Sequence, residues 1–375
     1  KTLFPYTTLF RSLYDTYGFP LDLTQDALKA KNIGVDMDGF NACMDKQRAD
    51  ARKAWAGSGD VATEKIWFDL AEKTASSEFL GYDKDHSEAQ IVAIIKDGAL
   101  VQSASTGDTV QILLNQTPFY AESGGQVGDT GVLVHDRSVF TVTDTAKKLG
   151  KLYVHIGQVE SGTFEVGKGV EARVDTARRT KIKAHHSVTH LLHEALRQTL
   201  GDHIAQKGSL QSPDRTRFDV SHPVGITAEQ LQQVEHKVNA EIWADTEVVT
   251  RLMDLDAARE SGARALFGEK YDDEVRVVSM GRPDAQGKIP FSVELCGGTH
   301  VKRTGEIGLF KIISESAVGS GVRRIEAVAG STALAYLEDQ ENRLKEAAGL
   351  LKSTPHDVVD RVKSLIDDKK KLESE

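Results

Sequence analysis

Two short motifs contain the residues of this sequence that are best suited to chemistry. Residues 186–190 read His-Ser-Val-Thr-His, and residues 296–300 read Cys-Gly-Gly-Thr-His. Each motif places two metal-binding side chains four positions apart. Together they supply one thiolate and three imidazoles, which suit Zn²⁺ better than the oxygen-seeking Mg²⁺ or Ca²⁺. The sequence therefore predicts one zinc ion per chain, held by His186, His190, Cys296 and His300.

The spacing within each motif supports a shared ion. Residues i and i+4 of an α-helix lie on one face, so His186 and His190 can converge if this segment is helical. In the second motif, Gly297 and Gly298 permit a tight turn between the cysteine and the histidine. Both pairs can therefore point at one ion.

Other interpretations of the same residues stay open. The first histidine pair alone is typical of polar positions on an amphipathic helix, and Cys296 alone fits a small buried apolar residue or a thiol nucleophile beside His300. Four protein ligands close a tetrahedral zinc site, as in structural sites, whereas catalysis requires an open position. His185 and His193 lie on other turns of the predicted helix. We assign them to the surface or to the surroundings of the ligands, not to the ligand set.

The composition is typical of a water-soluble globular protein. Of 375 residues, 39% are hydrophobic and 27% are charged, and the apolar runs are far too short to cross a bilayer. With only two cysteines, Cys43 and Cys296, a disulfide framework is not expected, and we predict a cytoplasmic protein. The net charge of −9 disfavours broad nucleic-acid binding. Four basic residues before the first motif either contact a polyanion or form a solvated helix face: Arg178, Arg179, Lys181 and Lys183.

The middle of the chain predicts a small antiparallel β-barrel or sandwich. An Ala-rich helix at residues 28–56 precedes it. Six short β-branched segments are separated by turn residues, at residues 90–96, 110–115, 131–135, 138–143, 152–156 and 170–174. A glycine-rich loop at residues 120–131 lies among them. It lacks the lysine of a phosphate-binding loop and no helix pattern follows it, so we do not interpret it as a nucleotide site.

The remaining sequence predicts an α+β domain followed by long helices, which makes the chain a multidomain α+β protein. A helix at residues 176–200 carries the first motif, and Thr227 with Gln230 forms a capping box for a second helix that reaches about residue 244. Ser331 caps a long polar helix, and Pro355 opens another that runs to the end. Between these helices we predict a short helix at residues 256–262 and strands at residues 248–253, 275–279, 308–314 and 323–329.

These motifs resemble those of alanyl-tRNA synthetases, in the family's order and over almost the whole chain. The resemblance is carried by residues 13–24, 117–131, 186–190, 206–209, 217–222, 296–300 and 319–327. Residues 1–12 match nothing in the family and are candidates for a foreign segment. The resemblance implies four regions: the end of a tRNA-recognition helical domain at residues 13–85, a β-barrel at 86–175, an editing domain with the metal site at 176–330, and a helical linker towards a further C-terminal domain at 331–375.

The resemblance also implies a reaction. The four metal ligands match the editing-site metal positions of the family, and Thr189 and Gln206 match positions that line its amino-acid pocket. The implied activity is zinc-assisted hydrolysis of serine or glycine wrongly attached to tRNA(Ala), and the partner is the aminoacylated 3′ end of that tRNA. ATP and Mg²⁺ would serve only the aminoacylation domain, which no stretch here resembles, so we expect no ligation of alanine by this chain. Oligomerisation would use the further C-terminal region.

Two other functions fit parts of the same pattern. A free-standing trans-editing hydrolase, an alanyl-tRNA deacylase, carries the same barrel and metal motifs, but the helical segments on both sides argue against it. A noncatalytic, zinc-stabilised RNA-binding module would use the same ligands without hydrolysis. Metal content measured together with deacylation separates that module from an editing enzyme.

Overall fold

The computed structural model describes residues 60–264, 274–287, 289–319 and 321–374. The chain divides into two compact units, Lys1–Glu72 and Lys73–Glu375. Helix α1 (Asp60–Lys73) covers the described residues of the first unit. The predicted helix at residues 28–56, the candidate foreign segment at residues 1–12 and Cys43 lie outside the described residues.

The second unit begins with a closed antiparallel β-barrel. The strands of this region are β1 (Glu78–Phe79), β2 (His86–Lys96), β3 (Ala99–Val101), β4 (Ser103–Ser105), β5 (Thr109–Leu114), β6 (Gln116–Thr117), β7 (Gly131–His135), β8 (Ser138–Lys148), β9 (Leu152–Ser161), β10 (Thr163–Glu165) and β11 (Gly169–Val174). Outside the barrel, β1 pairs with β6 in parallel and β4 pairs with β10. The barrel wall runs β2-β5-β9-β8-β7-β11, each strand antiparallel to its neighbours, and β11 pairs back onto β2. Fully buried side chains such as Phe140, Phe164 and Ile112 fill the interior. The six predicted segments are these six strands, so the predicted barrel is confirmed.

An α+β region follows the barrel, as predicted. Its elements are α2 (Thr176–Leu200), β12 (Gln206–Gln211), β13 (Thr216–Ser221), α3 (Ala228–Trp243), β14 (Val249–Asp254), α4 (Leu255–Glu260), β15 (Glu274–Pro283), β16 (Pro290–Leu295), a 3₁₀ turn (Thr304–Ile307), β17 (Phe310–Gly319) and β18 (Val322–Ala329). One antiparallel sheet has the order β12-β13-β18-β17 and another the order β14-β15-β16. Helices α2 and α3 bury one apolar core with the larger sheet, including Val188, Leu192, Val238, Phe218 and Ile325.

Local signals explain where the two main helices begin and end. Asp175 caps α2 by accepting a hydrogen bond from the backbone N–H of Arg178 at 3.0 Å, and Gly201 follows the last turn with a φ of 116°. Thr227 and Gln230 form the predicted capping box of α3. The sequence does not predict β12, β13 and β16, because each is short, mixes polar with apolar residues, and is identified only by its partner strand.

Two further helices complete the described residues, α5 (Gly330–Leu350) and α6 (Val358–Ser374). The prediction that Ser331 caps α5 is wrong: β18 runs to Ala329, the helix starts directly after it, and Ser331 lies inside the first turn. The prediction that Pro355 opens α6 is also wrong, because a turn in which the backbone N–H of Asp357 bonds the carbonyl of Thr354 intervenes. Among the described residues, no helix has the length and apolar character needed to span a membrane.

A buried ion pair fixes the start of α2 to the barrel. Arg179 is 3% exposed and pairs with Asp129, which is 1% exposed. The same guanidinium donates to the carbonyl oxygens of Gly81, Lys84 and Pro118, and Asp129 also accepts from the backbone N–H of Tyr120 at 2.7 Å. Arg179 therefore does not belong to the predicted solvated or polyanion-binding cluster, because its charge is used inside the protein.

We expect Arg179→Met to lower the free energy of unfolding by about 3–5 kcal/mol, because it leaves the Asp129 carboxylate buried without its partner. Lys181→Met is the matched control, since Lys181 is exposed on the same helix. Urea unfolding monitored by circular dichroism measures both. A loss below 1 kcal/mol in Arg179→Met would contradict a structural role for the pair.

Candidate metal centre

The four predicted ligands come together in the structure. His186 and His190 lie one turn apart on α2, Cys296 directly follows β16, and His300 lies four residues further along the chain. One side-chain donor atom from each lies within 4.8 Å of the others. The Cys296 Sγ atom is 3.4 Å from His186 Nε2 and 3.2 Å from His300 Nε2. The two motifs, distant in sequence, thus form one cluster.

Each imidazole of the cluster contacts another polar group through Nδ1, on the side away from the cluster. His186 Nδ1 lies 2.8 Å from Gln126 Oε1, His190 Nδ1 lies 2.5 Å from Glu294 Oε2, and His300 Nδ1 lies 3.1 Å from Ser187 Oγ. Gln126 and Glu294 offer these rings an oxygen acceptor, so Nδ1 carries the proton and Nε2 presents its lone pair. This arrangement turns the Nε2 atoms towards the Cys296 sulfur.

The chemistry of these four side chains fits a divalent metal ion. His190 Nε2 is buried and has no hydrogen-bond partner among the described residues, although a buried ring nitrogen normally has one. Burial disfavours the charged form of Cys296, but His186, His300 and His190 hold the pKa of its thiol well below the usual value. Thiolate and imidazole nitrogen are zinc ligands. The cluster could therefore hold a metal such as Zn²⁺.

Gly298 is required for space rather than for backbone conformation. Neither Gly297 nor Gly298 has a positive φ, so the path from Cys296 to His300 does not use the left-handed conformation that favours glycine. A Cβ atom on Gly298 would lie 2.1 Å from His186 Cε1 and 2.9 Å from Gln126 Oε1, whereas one on Gly297 would have no atom within 4 Å. The missing side chain of Gly298 is what lets the second motif approach the ring of His186.

The backbone of the second motif is held by a stacked pair. Arg276 donates to the carbonyl oxygens of Cys296 at 3.1 Å and Gly298 at 2.8 Å. Its guanidinium lies 4.0 Å from the ring centre of Tyr82, whose hydroxyl donates to the carbonyl oxygen of Gly297 at 2.7 Å. These contacts with three consecutive carbonyl oxygens fix the backbone from Cys296 to Gly298, directly after β16.

Thr189 and Gln206 line a small cavity of about 40 Å³ beside the cluster. The Thr189 hydroxyl donates to the His185 carbonyl at 2.7 Å and lies 2.7 Å from Thr216 Oγ1. Gln206 Nε2 donates to Ser209 Oγ at 3.2 Å. Because its hydroxyl is already bonded within the protein, Thr189 contributes volume to the cavity rather than a free donor.

The other two histidines of α2 are not on the surface. His185 is fully buried, and its Nε2 accepts a hydrogen bond from the backbone N–H of Ala329 at 3.0 Å. His193 is 6% exposed, and its Nδ1 lies 2.7 Å from Glu294 Oε1. Their exclusion from the cluster of four agrees with the sequence prediction, whereas their assignment to a possible surface position is wrong. Helix α2 is buried on both sides, because a sheet covers one side and the motif at residues 296–300 covers the other.

Sequence reasoning missed three residues that hold the ligands: Gln126, Glu294 and Arg276. Gln126 lies in the glycine-rich loop, and its Nε2 donates to Thr299 Oγ1 at 2.8 Å while its Oε1 accepts from the Thr299 backbone N–H at 2.9 Å. Glu294 is two positions before Cys296, which is the period of a strand and the signal that could have identified it. The sequence contains no comparable signal for Arg276.

Comparison with known proteins gives matches along most of the chain. Residues 1–178 match the model described as tRNA synthetases class II (A), and residues 275–326 match the threonyl and alanyl tRNA synthetase second additional domain. The alanine–tRNA ligase of Rhizobium meliloti (strain 1021) is 59% identical over 366 residues, and that of Granulibacter bethesdensis is 57% identical over 364 residues. Each alignment covers 97% of this chain. The chain therefore corresponds to a part of an alanine–tRNA ligase.

The match covers part of the length of these relatives. The chain spans 41% of the length of these alanine–tRNA ligases. Cys296 and His300 lie inside the matched second additional domain, whereas His186 and His190 lie between the two matched segments. The structural proximity of the four side chains is therefore what connects α2 with the matched domain.

We expect Gly298→Ala to weaken zinc binding by about 10- to 100-fold, because the new methyl group displaces the ring of His186 and its partner Gln126. Gly297→Ala is the matched control, since its methyl group would meet open space. Competition with a chromophoric chelator gives both affinities. Equal zinc binding by the two variants would show that the close approach at Gly298 does not matter.

Proposed function

We propose that this chain carries the editing activity of an alanine–tRNA ligase, the hydrolysis of serine or glycine wrongly esterified to tRNA(Ala). The observation that carries the proposal is the small cavity lined by Thr189 and Gln206, which also contains three of the four candidate ligands: His186, His190 and Cys296. An ester carbonyl placed at the edge of this cavity would lie beside the metal, with its amino-acid side chain inside.

In the proposed reaction, the protein groups mainly orient the metal ligands and enclose the amino-acid group. When bound, Zn²⁺ supplies a Lewis acid that polarises the ester carbonyl. The outer partners Gln126, Glu294 and Ser187 keep the imidazoles in position, so that little reorganisation is needed during the reaction. His186, His190 and Glu294 are buried, which strengthens the electrostatic interactions around them, whereas Cys296 and His300 are half-buried. Thr189 and Gln206 limit the size of the amino-acid group.

Physical chemistry explains why such a second site is needed. A synthetic site shaped for alanine cannot strongly exclude glycine, which is smaller, and an apolar pocket rejects an added hydroxyl only weakly. One methylene or hydroxyl is worth about 1–3 kcal/mol, which is a discrimination of roughly 10- to 200-fold. A separate hydrolytic site multiplies the discrimination of the synthetic site by its own.

The remaining parts of the proposal concern organisation and partners. We propose that residues 176–330 form the editing domain, residues 86–175 the barrel before it, residues 13–85 the end of the tRNA-recognition domain, and residues 331–375 the linker towards a C-terminal domain. The partner is the aminoacylated 3′ end of tRNA(Ala), in the cytoplasm. The similarity to alanine–tRNA ligases supports this choice of tRNA.

We expect about one zinc ion per chain after metal-free purification and reconstitution, and a loss of that zinc in Cys296→Ala, because the thiolate is the charged ligand of the set. Elemental analysis measures the content, and deacylation of serine-charged tRNA(Ala) measures the activity. Full zinc in Cys296→Ala would contradict the ligand set. Full zinc in the parent without any deacylation would support a noncatalytic zinc module instead.

A second expectation concerns Thr189. Thr189→Gly enlarges the cavity, so hydrolysis of alanine-charged tRNA(Ala) should rise about tenfold or more relative to serine-charged tRNA(Ala), with zinc retained. Thr189→Val is the control, because it keeps the volume and removes only the hydroxyl, which is already bonded to protein. If the ratio is unchanged in Thr189→Gly, the residue is structural.

A further inference from the structure

One carboxylate joins a ligand histidine to a histidine outside the metal cluster. Glu294 binds His190 Nδ1 through Oε2 at 2.5 Å and His193 Nδ1 through Oε1 at 2.7 Å. All three residues are less than 9% exposed. Since both carboxylate oxygens are used, the two rings are fixed relative to each other. The ring of His193 also packs edge-on against Phe218, with ring centres 5.3 Å apart.

This arrangement leaves His193 with a free acceptor. A carboxylate can only accept hydrogen bonds, so both rings donate through Nδ1–H, and in this tautomer the lone pair of each ring is on Nε2. For His190, this lone pair faces the other three ligands. His193 is not part of that group, and its Nε2 is buried without a hydrogen-bond partner among the residues that the structure describes. A buried acceptor without a partner is unfavourable, which points to a ligand that supplies one.

The cavity beside His193 is small and is the one proposed to hold the amino-acid group. His193 lines it together with Thr189 and Gln206, and its volume is about 40 Å³. A space of this size takes a few atoms, on the order of one to three water molecules. The side chain that enters it is therefore no larger than a hydrogen atom, a methyl group or a hydroxymethyl group.

We propose that His193 Nε2 accepts a hydrogen bond from the seryl hydroxyl and so determines which aminoacyl group the site hydrolyses. This assignment rests on the proposed editing function. A seryl hydroxyl donates to Nε2 directly. A glycyl group leaves room for a water molecule that donates instead. An alanyl methyl group fills the space and can donate nothing, so it leaves Nε2 unpaired and is disfavoured.

A second acceptor in the same cavity completes the match to a seryl group. Gln211 Oε1 is buried and, within the described ranges, has no hydrogen-bond partner. It suits the α-ammonium group, which seryl, glycyl and alanyl esters share, and so it does not distinguish them. The discrimination is left to His193, whose ring is held in position by the Glu294 carboxylate.

The test measures deacylation of tRNA(Ala) charged with serine, glycine or alanine, by the full chain and by two variants, His193→Leu and His193→Gln. Zinc content is determined in each preparation. In His193→Leu, the ratio of serine to alanine hydrolysis should fall by about 10- to 100-fold while glycine hydrolysis changes little. His193→Gln can accept a hydrogen bond from an amide oxygen, and it should recover part of the ratio.

The outcomes separate this inference from the proposed function. An unchanged serine-to-alanine ratio, or an equal fall for all three esters with zinc retained, would overturn the role of His193 while leaving the editing function intact. If His193→Leu loses zinc, His193→Gln decides by the same ratio. A parent chain that hydrolyses none of the esters would reject both the function and the inference.

Discussion

The candidate metal centre depends on the polar group that contacts Nδ1 of each histidine ring, on the side away from the cluster. An imidazole bonded through Nδ1 has only one lone pair to offer, and its direction is set by the outer partner. Here the partners come from separate parts of the chain: Gln126 from a loop of the barrel region, Glu294 from β16 and Ser187 from α2 itself. The first motif on its helix could not orient its rings alone. The cluster therefore exists only in the complete fold of the second unit.

One loop accounts for much of the connection between the barrel and α2. Gln126 bonds His186, and Asp129 in the same loop forms the buried pair with Arg179. The two helix residues are seven positions apart, which is two turns on one face. Gly125 of the loop has a φ of 87° and approaches Ser209 closely, so that any side chain there would collide with β12. The glycine-rich loop lacks the features of a phosphate site, and instead it binds α2 through Gln126 and Asp129.

The sequence predicts the repeated local patterns and misses what long-range packing decides. The barrel strands follow a period of two between turn residues, and the capping box of α3 is a local signal, so both could be predicted. The histidine pair follows from helix geometry. The position of Glu294 behind two rings, and the collision that makes Gly298 necessary, depend on segments that lie about 100 residues apart in the chain. The two-residue spacing of Glu294 and Cys296 is a local signal, but no local pattern encodes which rings Glu294 contacts. The same reason explains the failure to predict β16.

The charges around the cavity explain why a divalent cation suits this site. The Glu294 carboxylate is buried and the Cys296 thiolate is half-buried. Burial disfavours the charged form of His190, but Cys296 and Glu294 raise the pKa of its imidazole to about 10. For Glu294, burial opposes ionisation, but His193 and His190 hold its pKa below the usual value. Negative charges held away from water are unfavourable unless a cation balances them. A divalent metal ion bound by the cluster would supply the two positive charges that this thiolate and this carboxylate require.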